Sequence, residues 1–271
     1  MASQRVPKLP VVDLSLREDL RPGTRTWESM CKEVCTLEEY GCFVIKCNQV
    51  SLNLHSEIYS VVKDLFNLPL EIKQQKLAHR GNWPIGRAYS YGPKHERIDI
   101  ENLNILKEAQ SFTKLMWPSG NDQFWNMSKI MMNLDQTVVR MVFQNYEAEK
   151  YYNSHIQSTD YVTGSNGVNG LEIQTKDGQW ILYDPPSYSS FIYLASDAFK
   201  AWSNGKIHLC YHRVIMGGNK MRLSLLFTTF HKGPVLSVPD ELVDKEHPLR
   251  FRPFNQREFQ KLHIEYGMKK I

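Results

Sequence analysis

No apolar stretch of this sequence reaches the length of a membrane span, so a helical membrane anchor is not expected. The opening Met1-Ala2-Ser3-Gln4-Arg5-Val6-Pro7 lacks a hydrophobic signal region. An excess of one charge is lacking too. Its 33 basic and 29 acidic residues leave +4, and no long basic run occurs, which argues against nucleic acid as a partner. Cysteine is sparse: five residues, with no zinc-like Cys-x-x-Cys pair. Cys31 and Cys35 stand at helical spacing, so reduced core thiols and a reducing, cytoplasmic setting are expected. Internal repeats and low-complexity segments are absent, and a monomer is expected.

What is present suits a folded domain. The 271 residues fit one large domain or one and a half ordinary ones, and 42% hydrophobic residues supply a sizeable core. Leu9 to Leu14 reads as a short opening strand. A helix is predicted from about Thr26 to Tyr40, because Trp27, Met30, Cys31, Val34 and Cys35 fall on one face. Cys42-Phe43-Val44-Ile45 reads as a buried strand. Ser51 is placed to cap a second helix striped by Leu54, Ile58, Val61, Val62 and Leu65, and Pro69 stops it. Residues 80 to 93, with three glycines and two prolines, read as a loop. A long helix is predicted from Gln123 to Tyr146, striped by Phe124, Met127, Met131, Leu134, Val138, Met141 and Val142.

After about residue 160 the pattern turns to strands. Leu171 to Thr175 and Gln179 to Tyr183 flank Lys176-Asp177-Gly178, a hairpin signal because Asp-Gly accepts the positive φ of a tight turn. Ser190 to Leu194, His212 to Met216 and Arg222 to Phe230 are further strands, with a turn at Ser203-Asn204-Gly205-Lys206. Helices before short antiparallel strands imply an α+β, mainly β fold: a double-stranded β-helix, or jelly roll, with an N-terminal helical region.

The chemistry concentrates near the C-terminus. His212 precedes Arg222 and Ser224 by ten and twelve residues on a strand-rich stretch. Arg222 and Ser224, two apart, share one strand face and could grip a carboxylate through charge-assisted contacts. A lone strand imidazole can equally be a half-buried histidine satisfied by a backbone group, and Arg222 a surface arginine.

These residues, with Tyr40-Gly41-Cys42-Phe43, Leu65 to Lys73, Asn169 to Gln174, Asp177-Gly178-Gln179-Trp180, Ser203-Asn204-Gly205 and His212-Arg213-Val214, resemble the plant-type 2-oxoglutarate/Fe(II)-dependent dioxygenases. Pro84 to Tyr89, Met116 to Asn121 and Pro239 to Asp244 resemble the subgroup of glucosinolate side-chain dioxygenases. The resemblance covers nearly the whole chain. It implies a dioxygenase-type N-terminal region over 1–115, a supporting helix over 116–160 and a jelly-roll domain over 161–271. It also implies oxidation of a small plant metabolite coupled to 2-oxoglutarate decarboxylation. Fe(II) would be the metal and 2-oxoglutarate the co-substrate, with ascorbate as accompanying reductant. His212 would be an iron ligand; Arg222 and Ser224 would hold the far carboxylate of 2-oxoglutarate.

The chain departs from the family at one place. The family carries further strands and a His-x-Asp pair, two of the three iron ligands, after a segment like Ser154 to Tyr161. Here Tyr161-Val162 runs almost at once into Thr163 to Leu171, so the jelly roll is expected to be incomplete and the iron site impaired. Ser196 and Cys210 also stand where the family usually has Gly and Pro. His55-Ser56-Glu57 and His263-Ile264-Glu265 have the right spacing but lie in predicted helices, where residues two apart diverge by about 200°. His155-Ile156-Gln157 offers only a neutral amide, and Cys210-Tyr211-His212 would suit zinc or copper better than iron. Three readings remain: an active dioxygenase, a non-catalytic relative that binds a ligand or partner, or a shortened chain without a stable fold.

Overall fold

The computed structural model describes residues 8–15, 18–79, 87–92, 95–167, 170–215 and 223–259. In order, the chain runs β1 (Val11–Asp13), α1 (Arg25–Val34), α2 (Thr36–Tyr40), β2 (Cys42–Lys46), α3 (Leu52–Asn67) and α4 (Leu70–Lys76). Next come β3 (Ala78–His79), β4 (Arg87–Gly92), β5 (His95–Glu101), α5 (Leu106–Met116) and α6 (Gln123–Asn145). The C-terminal half holds α7 (Tyr152–Gln157), β6 (Thr159–Gly167), β7 (Leu171–Gln174), β8 (Trp180–Tyr183), β9 (Ser190–Leu194), α8 (Asp197–Trp202), β10 (His212–Val214) and β11 (Leu223–His231).

Helix ends follow local chemistry. The Thr24 hydroxyl accepts from the Trp27 amide at the start of α1, and the Ser51 hydroxyl accepts from the Leu54 amide at the start of α3. The single helix expected over 26–40 is broken at Cys35, whose N–H bonds back only three residues, to Lys32. The restart in α2 buries Leu37. Gly41 then ends α2 at φ 67°, and a Cβ there would stand 2.4 Å from the His208 carbonyl, so only glycine fits.

The strands form three sheets, in the orders β1-β2-β9, β10-β7-β8 and β11-β6-β5-β4-β3. The last corrects two expectations. The predicted loop over 80–93 contains strand β4, and the first half is not helical throughout, because β3, β4 and β5 extend the sheet built on β6 and β11. The passage after Asp160, read as an abrupt cut, is itself a nine-residue strand that pairs with β11 from Thr159↔His231 to Gly167↔Leu223.

The five-stranded sheet has two chemically different faces. On one, Thr163 shares a hydrogen bond with Ser128 of α6 (2.9 Å), and the Tyr161 hydroxyl accepts from Gln136 of the same helix (3.1 Å). Ile98 and Ile100 join the main core there, together with Phe112, Phe124, Phe143 and Trp202. The other face carries Arg97 and Asp99 of β5. The Arg97 Nε–H reaches both carboxylate oxygens of Asp99, at 2.9 and 2.8 Å. Asp99 is 2% exposed, and a Cβ on Gly164 of the neighbouring strand would lie 2.6 Å from its Oδ1. A second, smaller core of Cys42, Val44, Ile173, Tyr183 and Cys210 joins the β2–β9 sheet to the β7–β8 sheet.

Asp135 of α6 is buried against β9, where the Tyr193 hydroxyl donates to its Oδ1 at 3.2 Å. Burial pushes the Asp135 carboxyl up to about 7, more than the Tyr193 hydrogen bond lowers it. The native state therefore binds this proton more tightly than the unfolded chain does.

Two outcomes are expected. Gly164→Ala drives a methyl into a buried, ion-paired carboxylate and lowers unfolding stability by about 1–3 kcal/mol in denaturant titration; an unchanged midpoint would refute the close approach. For Asp135, the favourable contribution is complete below about pH 4 and is lost as pH rises through about 7. Asp135→Asn keeps the acceptor without the charge, so it should exceed the parent by roughly 2–4 kcal/mol above pH 7. That margin should shrink toward pH 4, and a difference flat with pH would count against it.

Candidate functional site

His212 opens β10 and stands in register with Ile173 of β7, itself paired with Ile181 of β8. Ile173 is 1% exposed and belongs to the smaller core, so His212 sits on the inward-facing side of its sheet; yet His212 is exposed. Its Nδ1 lies 3.0 Å from the Cys210 carbonyl. A carbonyl only accepts, so Nδ1 is the nitrogen that donates here and Nε2 is the one left for a further partner. That is how a metal-binding imidazole is commonly oriented, and it is also how a backbone group satisfies a strand histidine. Arg213 points to the other face, paired with Glu172 at 2.7 Å and lying 4.0 Å over the Trp180 ring.

Ser224 lies near the start of β11, opposite Asn166 of β6, which in turn opposes Arg97 of β5. It therefore shares a sheet face with the Arg97–Asp99 pair, away from α6. Arg222 lies outside the described residues. No described contact joins His212 to Ser224. Arg97 and Asp99 were missed at the level of sequence, although Arg97-Ile98-Asp99-Ile100-Glu101 alternates polar and apolar residues as a half-buried strand does.

The iron implied by the family resemblance does not fit the described residues. Non-haem Fe(II) of this kind needs two imidazoles and a carboxylate on one side of the metal. Among the described residues, no three His, Cys, Asp or Glu side chains come together as a metal site. The replacements fail individually. His55 stacks on Tyr59, while Glu57 accepts from Asn53 along the exposed face of α3. His155 is packed on Phe143, and burial, aided by nearby His231, pushes it down to about 4, so it stays neutral inside the protein. The adjoining Cys42 thiol and burial push the Cys210 thiol well up, and its place in the smaller core is that of a buried small residue. His263-Ile264-Glu265 lies outside the described residues.

The backbone ladders show why the partners are missing. In β11, the Lys232 N–H bonds to the Ser158 carbonyl, so alternate residues 230, 228, 226 and 224 bond to β6. Leu225, Phe227 and Thr229 then direct their N–H and C=O groups to the far side, and His231 confirms the phase, its N–H donating to the Gln256 side chain at 2.7 Å. By the same alternation, Ile192 and Leu194 of β9 point away from β2, and His212 and Val214 of β10 point away from β7. Each sheet thus ends, among the described residues, on a strand of the C-terminal half with no strand beside it. The jelly roll is incomplete at these edges, and His212 sits on one of them.

Comparison with known proteins agrees with this architecture. Residues 139–231 match the model of the 2OG-Fe(II) oxygenase superfamily, and residues 9–124 match that of the non-haem dioxygenase in morphine synthesis N-terminal region. An Arabidopsis thaliana protein named "Probable 2-oxoglutarate-dependent dioxygenase AOP1" is 32% identical, covering 93% of this chain and 95% of its own. That match runs over 292 residues, more than the 271 here, so the relative carries residues with no counterpart in this chain. "Probable inactive 2-oxoglutarate-dependent dioxygenase AOP2", also from Arabidopsis thaliana, is 26% identical over 97% of this chain and 95% of its own. The crystal structure of a rice dioxygenase for auxin oxidation superposes with a TM-score of 0.74 at 21% identity, over 96% of each chain, which shows the shared fold. From the order of its elements to the two matching family models, the chain belongs to the 2OG-Fe(II) oxygenase superfamily, near the AOP dioxygenases.

Proposed function

We propose that this chain is a non-catalytic member of its family, a jelly roll that keeps the co-substrate side of the pocket and has lost the iron. The observation that carries this reading is the exposed His212 on an edge strand, with no second and third ligand beside it among the described residues. The residues that the AOP1 relative carries without counterpart here support it. So does the passage from Tyr161 through a single strand to Leu171, where the family places its His-x-Asp.

In this reading His212, Arg222 and Ser224 face one pocket. Arg222 and Ser224 bind a dicarboxylate such as 2-oxoglutarate through its far carboxylate. Family members oxidise small molecules, as the rice neighbour's name indicates for auxin, and a small plant metabolite is the ligand class for the remainder of the pocket. Without a metal to chelate its keto acid end, a bound 2-oxoglutarate is held but not activated. One imidazole supplies neither the charge compensation of a carboxylate nor a fixed facial geometry, so Fe(II) is lost on dilution. No helix among the described residues is long and apolar enough to cross a membrane. A cytoplasmic location suits the reduced state of the buried cysteines.

The test is iron content after desalting, together with succinate release with and without added Fe(II). Iron far below one per chain and no succinate above background are expected. Arg222→Ala should abolish residual 2-oxoglutarate binding in calorimetry. Stoichiometric iron with His212-dependent succinate formation would overturn the reading.

A further inference from the structure

Two thiols meet in the smaller core. Cys42, the first residue of β2, and Cys210, two residues before β10, are 1% and 2% exposed and lie among Val44, Ile173 and Tyr183. Their side chains are hydrogen-bond partners of each other. The backbones run equally close: a Cβ on Gly41, the neighbour of Cys42, would stand 2.8 Å from the Cys210 nitrogen and 3.1 Å from its Cα. A disulfide needs such an approach, with Cα atoms about 4–7 Å apart. The other cysteines are placed differently. The Cys47 thiol donates to the Ser189 carbonyl at 3.6 Å, and Cys31 and Cys35 follow each other along α1 and its end. Of the five, only Cys42 and Cys210 bring two sheets together through their sulfurs.

We infer that Cys42 and Cys210 form a reversible disulfide when hydrogen peroxide rises, a redox site that ties the β1-β2-β9 sheet to the β10-β7-β8 sheet. One sulfur attacks the O–O bond of the peroxide and becomes a sulfenic acid, releasing one water. The second thiol displaces the hydroxyl as another water, and the S–S bond forms. The pair gives up two electrons and two protons, and the peroxide takes them. A small dithiol reverses the step by exchange. Burial excludes bulky oxidants but not peroxide, which is scarcely larger than water. Access comes by way of β10, a three-residue strand exposed along its length. The cysteines are far apart in sequence, so the bridge restricts the unfolded chain strongly. It also fixes the Cys210 carbonyl against which the His212 ring is set. The inference rests on the thiol pair and holds whether or not iron binds.

The full chain, reduced and then exposed to hydrogen peroxide, should fall from five free thiols to three when counted in denaturant. Its mass should drop by about 2 Da. Digestion without reductant should yield one peptide pair joined through Cys42 and Cys210, and dithiothreitol should restore all five thiols. Cys210→Ala, with four thiols left, should keep all four under the same treatment. Should that variant not fold, the peptide pair from the unmodified chain decides. The Gln174 amide, bonded to the Tyr211 carbonyl at 2.8 Å, should exchange at least about fivefold more slowly in the oxidised chain. Five thiols surviving peroxide, a bridge between Cys31 and Cys35 instead, or oxygen added to Cys42 or Cys210 without a bridge would each overturn the inference. So would an unchanged Gln174 exchange rate.

Discussion

A β-strand is stable only when the hydrogen-bonding groups along both of its sides have partners or water, and in this protein that requirement bears most on the strand edges of the C-terminal half. Strands β9, β10 and β11 each use one side fully and leave the other open. A jelly roll interleaves its strands between two layers, so strands without a neighbour in one layer leave edges in the other as well. The exposed His212 stands on one such edge.

The rest of the molecule holds despite that opening because its packing does not depend on the missing strands. The principal core lies between the helices and the outer face of the five-stranded sheet, where Phe143 stacks on Trp202 at 4.2 Å and α6 crosses β6 through Ser128 and Gln136. The inner face is held by Arg97 and Asp99, a two-pronged pair whose carboxylate is almost wholly removed from water. Such a pair adds little net stability, but it cannot lose one partner without leaving a buried charge, and it forces glycine at position 164. A fold of this family can therefore lose catalytic strands and keep its frame.

The same frame positions the described residues of the proposed site. Ser224 is placed by β11 and its ladder to β6. The His212 ring is oriented from within its own chain, its Nδ1 against the Cys210 carbonyl two residues away.

Much of this was legible in the sequence. The stripe of α6, the Ser51 cap, the Asp-Gly hairpin and the strands around His212 follow from local periodicity and turn chemistry, which the chain carries in consecutive residues. The absence of a His-x-Asp pair was visible for the same reason. Strands β4 and β5 were not recognised, since a segment rich in glycine and proline obscured one and the alternation of Arg97 to Glu101 was overlooked. Which edges stay open could not be read there at all. Strand order, the pairing phase that turns Leu225, Phe227 and Thr229 outward, and the approach of Gly164 to the Arg97–Asp99 pair depend on segments more than fifty residues apart. Sequence specifies what each strand is, but hydrogen-bond partners across a sheet are chosen only when distant segments pack together.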